Sequence, residues 1–428
     1  MTSTALLTDH YELTMLRAAL RSGTAQRRAV FEVFCRGLPP GRRFGVVGGT
    51  GRLLDLMTDF RFGADELSYL REHEVVDEAT AEFLAGYRFS GDVWGYGEGE
   101  AFFPGSPILV VEASFGEALL LETLALSVLN HDSAIAAAAA RMAVAAGERP
   151  LIEMGSRRTH EQAAVAAARA AYIAGFATTS NLEAGRRHGI PTAGTSAHAF
   201  TLVHDSERAA FIAQVDSLGT GTTLLVDTYD LRTAVRTAVE VAGPGLGAVR
   251  LDSGDLLQQA HEVRAQLDEL GAHDTRIVVT SDLDEHAIAA LASAPVDGYG
   301  VGTSLVTGSG APTAALVYKL AEVDGHHVAK RSVGKPSRGG RKWGLRRLDD
   351  KGVATGEIVV TSDEPPADRD HHRPLMRRLV AGGEVVGAEP LRAARDRCRA
   401  ALAELPVSAL KLSRGRPAID TTHDGVDR

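Results

Sequence analysis

Two patterns of apolar positions divide the chain. From residue 150 onward, short apolar runs alternate with longer stretches of helical periodicity. Residues 151–154, 223–227, 248–252, 276–279 and 298–302 read as strands. A segment opening at Thr159, then 231–242, 256–270 and 283–292, read as the intervening helices. The pairs Thr159/Gln162 and Asp282/Glu285 have the spacing of capping boxes at two of those helix starts. Runs near Phe176 and at 190–193 add two more strands, about seven in all. Such alternation implies a parallel sheet covered on both faces. The strand number favours an irregular eight-stranded α/β barrel over a doubly wound open sheet.

The flanking regions follow other rules. Upstream, residues 29–34 alternate as a strand, 65–71 and 78–85 read as helices, and 92–96 reads as strand and turn inside a Gly- and Pro-rich stretch. That mixture predicts an α+β N-terminal domain. The apolar segment 118–146 is interrupted by Glu122, His131, Asp132 and Arg141, so it reads as a buried helix and not a membrane span. Beyond residue 325 the strand–helix rhythm stops. A Gly-rich basic loop at 330–347 is followed by strand pieces at 357–361 and 384–387 and a helix at 390–405. The expected domains are 1–112, a barrel over 113–325 that carries the active site, and a small C-terminal region, 326–428. The last packs near the N-terminal domain and ends in a polar tail, disordered after about 415.

Composition narrows the function. A chain of 428 residues, 44% hydrophobic and 24% charged, has the make-up of a soluble enzyme of two or three domains. A net charge of −9 argues against a broad nucleic-acid surface, so any anion site must be a local gathering of Arg and Lys. Cys35 and Cys398 are the only cysteines, too few for a disulfide framework or a Cys-rich zinc site. With no signal-peptide pattern at the start and no spanning segment, the expected location is the cytoplasm.

In βα folds the loops after the strands build the ligand site. Here they carry Ser156-Arg157-Arg158, Thr179-Ser180-Asn181, Asp227, Arg250, Asp252-Ser253-Gly254-Asp255, Ser281-Asp282 and Gly302-Thr303-Ser304. His198 lies with Thr195 in a turn of small residues that would let a large anion approach. Some of these residues suit helix caps, Asp255 and Asp282 above all. Arg157 and Arg250 resist that reading, because a guanidinium buried at a strand end is costly without an anion. Gly302-Thr303-Ser304 forms an amide-and-hydroxyl cradle suited to phosphate. The loop 330–347 holds eight cations, Lys330, Arg331, Lys335, Arg338, Arg341, Lys342, Arg346 and Arg347. It reads either as a solvated basic stretch or, with its glycines and Trp343, as a loop folding over a polyphosphate.

In order along the chain, Thr8-Asp9-His10-Tyr11-Glu12-Leu13-Thr14-Met15, Phe31-Glu32-Val33-Phe34, Glu153-Met154-Gly155-Ser156-Arg157-Arg158, Thr179-Ser180-Asn181, Gly194-Thr195-Ser196-Ala197-His198, Arg250 to Leu256, Gly300 to Ser304 and the Lys330-to-Arg346 series resemble nicotinate phosphoribosyltransferase. The resemblance implies the type II phosphoribosyltransferase barrel. It implies the joining of nicotinate to 5-phosphoribosyl 1-pyrophosphate, giving nicotinate mononucleotide and pyrophosphate for NAD biosynthesis. It also implies coupling to ATP through a transient phosphohistidine at His198, and a homodimer with shared active sites.

The family's nicotinate contacts fall on Tyr11, Thr195 and Arg250, and its phosphoribosyl contact on Thr303. In those roles Tyr11 would stack on the ring, and Arg250 or Arg157 would grip the carboxylate. Asp252 would meet the ribose hydroxyls. Asn181, Ser253, Gly254, Asp255, Gly302 and Thr303 would hold the phosphoribosyl group, and Lys335 and Lys342 would meet ATP or pyrophosphate. Mg²⁺ would be held mainly through pyrophosphate and water, with Asp227 the candidate protein ligand. Ser281-Asp282 and Gly339 depart from the family pattern in two loops. The alternatives are a nicotinamide or quinolinate phosphoribosyltransferase and, from another class, a catalytically silent phosphate sensor on the same barrel.

Overall fold

The computed structural model describes residues 3–330, 337–367 and 369–424. The chain forms two compact units, Met1–Ala137 together with Ala311–Arg428, and Ala138–Gly310. In chain order the N-terminal strands are β1 (Arg28–Cys35), β2 (Gly45–Val46), β3 (Asp92–Tyr96), β4 (Ala101–Phe102) and β5 (Pro107–Ser114). The second unit contributes β6 (Leu151–Glu153), β7 (Thr178–Thr179), β8 (Thr223–Leu225), β9 (Ala248–Leu251), β10 (Arg276–Thr280) and β11 (Gly298–Val301). The chain then adds β12 (Leu316–Val323), β13 (His326–His327), β14 (Lys342–Leu348), β15 (Ala354–Thr361), β16 (His372–Pro374), β17 (Met376–Ala381), β18 (Glu384–Val385) and β19 (Thr421–Asp424).

In the first unit a seven-stranded sheet runs β13-β12-β1-β5-β3-β17-β18, and a four-stranded sheet runs β16-β14-β15-β19. The apolar core includes Phe31 of β1, whose ring stacks on Tyr318 of β12 at 4.9 Å between centroids. This pairing moves the boundaries away from 112 and 325. The strand β12 lies along the length of β1, and β17 pairs with β3, so C-terminal residues complete a sheet that N-terminal residues begin. The tail expected to be disordered after about 415 contains β19, paired in parallel with β15 from Glu357↔Thr421.

The basic stretch is corrected in the same unit. From Lys342 it is a buried strand and not a loop. Lys342 is 3% exposed. Its ammonium donates to Glu32 Oε2 at 2.9 Å and to the carbonyls of Arg338 at 2.7 Å and Gly340 at 3.2 Å. An ammonium has three donors, so none remains for a polyphosphate. Arg346 is fully buried and pairs with Glu357 at 3.1 Å, while Glu357 also accepts the Tyr96 hydroxyl at 2.7 Å. Arg341 lies over Trp343 at 4.8 Å and pairs with Glu112 at 2.9 Å. Lys335 and Arg331 lie outside the described residues.

In the second unit the six strands pair in parallel in the order β7-β6-β11-β10-β9-β8. The last strand in sequence, β11, pairs with the first, β6. That closure is the signature of a barrel and excludes the doubly wound alternative. The curled sheet stays open between β7 and β8, where residues 180–222 supply the helices Leu182–His188, His198–Leu202 and Glu207–Leu218. The strands are short and apolar because both faces are covered, as in β9, where all four residues are buried. The helix Leu231–Ala242 buries Ala234, Val235, Ala238, Val239 and Ala242, one face at helical spacing.

The sheet has six strands instead of about seven. Residues 190–193 make only a bridge, Thr179↔Thr192, because Pro191 has no N–H to offer a ladder. Two caps also shift. Asp284, not Asp282, caps the helix Glu285–Ala290, accepting from the amides of His286 and Ala287. His160, not Thr159, caps Glu161–Ile173.

Candidate active site

The carboxyl ends of β6, β9, β10 and β11 surround a cavity of about 200 Å³. Met154, Arg157, Arg158, Asp252, Thr280 and Thr303 are among its lining residues, with Ser281, Asp282, Gly300 and Gly302. Glycine is required at 300: a Cβ there would come within 2.6 Å of Thr280 and 2.7 Å of the Met154 sulfur. Gly302 precedes the short helix Thr303–Val306, and Thr303 is exposed at its start.

Beside the cavity a chain of polar contacts links six sequence-predicted residues. His198 Nε2 lies 3.2 Å from Asp227 Oδ1. The other Asp227 oxygen accepts the Asp252 amide at 2.9 Å and the Ser253 hydroxyl at 2.8 Å. Arg250 donates through Nη1 to the Thr195 hydroxyl, and its Nη2 lies 4.0 Å from Asp252. The Thr280 hydroxyl donates to Asp252. The chain therefore gathers Thr195, His198, Asp227, Arg250, Asp252 and Ser253, drawn from three separate strand–helix loops.

The electrostatics follow from burial. Arg250 is 9% exposed, and burial lowers its pKa against the opposing pull of Asp252 and Asp227. Its Nε is buried with no hydrogen-bond partner. A buried unpaired guanidinium N–H is expensive, and a planar carboxylate is the natural acceptor for it. Arg157, expected to be buried, is exposed on the cavity wall, two positions beyond the buried Gly155. His198 is half-exposed, and the contact with Asp227 assigns the ring proton to Nε2 and leaves the lone pair on Nδ1.

Several predicted residues serve the scaffold. Asp255 caps the helix Leu256–Glu269, accepting from the Gln258 amide at 3.1 Å. Gly254 has φ +86°, a conformation that favours glycine. Asn181 caps Leu182–His188 through Ala184 at 2.8 Å and donates to the Ser156 hydroxyl at 3.0 Å. Ser253 has committed its hydroxyl proton to Asp227. Asp227, the candidate Mg²⁺ ligand, spends three of its acceptor sites on His198, the Asp252 amide and the Ser253 hydroxyl. Among the described residues no group of three or more His, Cys, Asp or Glu side chains could hold a metal ion. Tyr11 belongs to the other unit, 42% exposed on the helix His10–Ser22.

The sequence reading missed Glu153 and Glu207. Glu153 is fully buried at the end of β6. Its carboxylate accepts the Gly155 amide and the Thr179 hydroxyl, and burial raises its pKa. A charged residue inside an apolar parallel strand was the available signal. Glu207 opens the helix Glu207–Leu218, and its pKa is pushed up to about 7 by burial first, then by Asp230 and Asp227.

A parallel sheet that closes first strand on last, with anion-seeking groups gathered at its carboxyl edge, is the architecture of the type II phosphoribosyltransferase barrels. Residues 6–130 match the N-terminal domain of nicotinate phosphoribosyltransferase, and residues 150–361 match the nicotinate phosphoribosyltransferase family proper. The chain belongs to that family. It is 60% identical over 424 residues to a nicotinate phosphoribosyltransferase of Mycobacterium tuberculosis, covering 97% of this chain and 94% of that protein. It is 37% identical to the Bacillus subtilis nicotinate phosphoribosyltransferase, covering 87% and 79%. The crystal structure of human nicotinic acid phosphoribosyltransferase superposes with a TM-score of 0.83 at 27% identity, covering 97% of each chain. Among the described residues no helix is long and apolar enough to cross a membrane.

Proposed function

We propose that this chain joins nicotinate to 5-phosphoribosyl 1-pyrophosphate, releasing pyrophosphate and forming nicotinate mononucleotide, and that it couples the step to ATP through His198. Family membership supports the transfer reaction. The observation that carries the ATP coupling is the carboxylate-tethered His198 in the same contact chain as Arg250.

In the transfer step the C1–oxygen bond to pyrophosphate breaks, and the nicotinate ring nitrogen forms the new bond to C1. The protein's task is orientation and charge stabilisation. Arg250, with its unpartnered Nε, holds the nicotinate carboxylate, and the exposed Arg157 and Arg158 face the polyanion. Gly302 and Thr303 hold the 5′-phosphate, and Asp252 meets the ribose hydroxyls. Mg²⁺ arrives with the substrate's pyrophosphate and not on a protein cage.

In the coupling step the Nδ1 lone pair of His198 attacks the γ-phosphorus of ATP, and the bond to the ADP oxygen breaks with its electron pair. Asp227 retains the Nε2 proton and stabilises the charge that develops on the ring. The site is completed in a homodimer, by Tyr11 of a second copy.

Two measurements test this. Purified protein with nicotinate, 5-phosphoribosyl 1-pyrophosphate and Mg²⁺ should form nicotinate mononucleotide, faster with ATP, in preference to products of nicotinamide or quinolinate. The variant His198→Ala should keep slow transfer but lose ATP stimulation and any acid-labile phosphate on the protein. Full ATP stimulation in that variant removes His198 from the coupling step, and absence of product from nicotinate removes the transfer assignment itself.

A further inference from the structure

Glu153 stands apart from the groups that line the cavity, yet its carboxylate ties the loop after β6, which lines it, to the end of β7. It sits at the carboxyl end of β6, the strand flanked by β7 and β11. One carboxylate oxygen accepts the Gly155 amide, and the other accepts the Thr179 hydroxyl. Direction in this network is fixed. The Asn181 amide donates to Thr179 Oγ1 at 2.9 Å, so the Thr179 proton points to Glu153. Asn181 in turn donates its side-chain N–H to Ser156 at 3.0 Å. The Glu153 carbonyl accepts the Ser180 amide at 2.8 Å, closing a ring of contacts between the two loops.

The same network reaches the phosphate cradle. Gly155 is packed so closely that a Cβ would fall 2.1 Å from Val306 and 3.2 Å from the Gly302 carbonyl. The amide of Met154 donates to the Val301 carbonyl at 2.8 Å. The segment that Glu153 holds is therefore seated against the loop that opens at Gly302. Arg157 and Arg158 follow two and three residues after Gly155 and line the cavity.

We propose that Glu153 is a positioning residue for polyanion binding. Its carboxylate sets the Gly155–Arg158 turn against the Gly302–Thr303 cradle, one oxygen accepting the Gly155 amide and the other the Thr179 hydroxyl. The proposal rests on reading that cavity as the phosphoribosyl pyrophosphate site. Glu153 touches no substrate in this arrangement. It acts through Gly155 and Thr179, and its burial pushes its pKa upward, which makes the two donors the source of its charge stabilisation.

The test uses the full-length chain with Glu153→Gln, Thr179→Val, their combination, and Thr179→Ser. Glutamine keeps the shape but presents an N–H to one of the two donors. Valine removes only the hydroxyl. Steady-state kinetics, melting temperature and calorimetric titration with magnesium 5-phosphoribosyl 1-pyrophosphate give the readouts. Glu153→Gln and Thr179→Val should each raise KM and Kd for that substrate about tenfold while kcat stays within about threefold, the pattern of lost binding geometry. The double variant should be no worse than the worse single one, and Thr179→Ser should restore wild-type values. Wild-type affinity in both single variants, or effects that multiply in the double, overturns the proposal. If Glu153→Gln does not fold, the Thr179→Val and Thr179→Ser pair decides the matter alone. Wild-type protein that binds no 5-phosphoribosyl 1-pyrophosphate overturns the reading of the cavity, and the role of Glu153 with it. Binding that all variants retain overturns only Glu153.

Discussion

Asp227 and Glu207 meet the same neighbourhood with opposite outcomes. Asp227 is satisfied by three donors, His198, the Asp252 amide and Ser253. Glu207 has a buried oxygen with no partner, and burial together with Asp230 and Asp227 pushes its pKa up to about 7 from an ordinary 4.5. The sign of the consequence follows from proton counts. Between those two pH values the folded chain holds a proton on Glu207 that the unfolded chain has lost. Stability therefore falls as pH rises through that window, and the full penalty applies above it. Glu207→Gln removes the penalty. Glu207 is partly exposed, so solvent screening reduces the gain to about 1 kcal/mol at about pH 8, with no gain near pH 4.5. Urea denaturation of both proteins at the two pH values checks this, and an equal difference at both would remove the electrostatic cause.

The secondary elements were legible where one periodicity ruled. The helices Glu78–Ala85 and Leu231–Ala242 and the strand β3 fall where the apolar pattern puts them. The position of Arg250 and Asp252 at the end of β9 was legible for the same reason, whereas Thr195 and His198 follow an isolated bridge and not the strand expected before them. Errors arose where a local spacing had two frames or where the deciding partner was distant. Asp282 and Glu285 have capping-box spacing, yet the backbone turns two residues later and Asp284 takes the cap. Asp284→Ala should then cost about 1 kcal/mol and Asp282→Ala less than about 0.5 kcal/mol. Chemical denaturation of the two variants discriminates them, and the reverse order would restore the frame read from sequence. Lys342 shows the second kind of error. A cation run reads as a solvated or anion-binding loop, but the counter-charge is Glu32, 310 positions away, and no local pattern announces it. Glu153 carried one sequence signal, a charge inside an apolar strand, but its role was hidden for a related reason: its partner Thr179 comes within reach only when β6 and β7 lie side by side.

Across the whole molecule, the residues assigned to nicotinate divide between the two compact units. Tyr11 stands in one, and Thr195 and Arg250 stand in the other. Tyr11 is exposed beside other exposed apolar side chains of the same segment, Leu6, Leu7 and Met15. In a chain of net charge −9, such an apolar group near the start suits contact with a second copy better than open solvent. If two copies share their sites, lesions in different units must complement. The variants Tyr11→Ala and Arg250→Ala should each be strongly impaired as homodimers. A purified heterodimer carrying one of each has one site with both lesions and one site with neither, so it should recover about half the wild-type rate per dimer. If each chain instead builds its site alone, every site in the heterodimer carries one lesion. Its rate then cannot exceed the mean of the two impaired homodimers, and the shared-site arrangement is excluded.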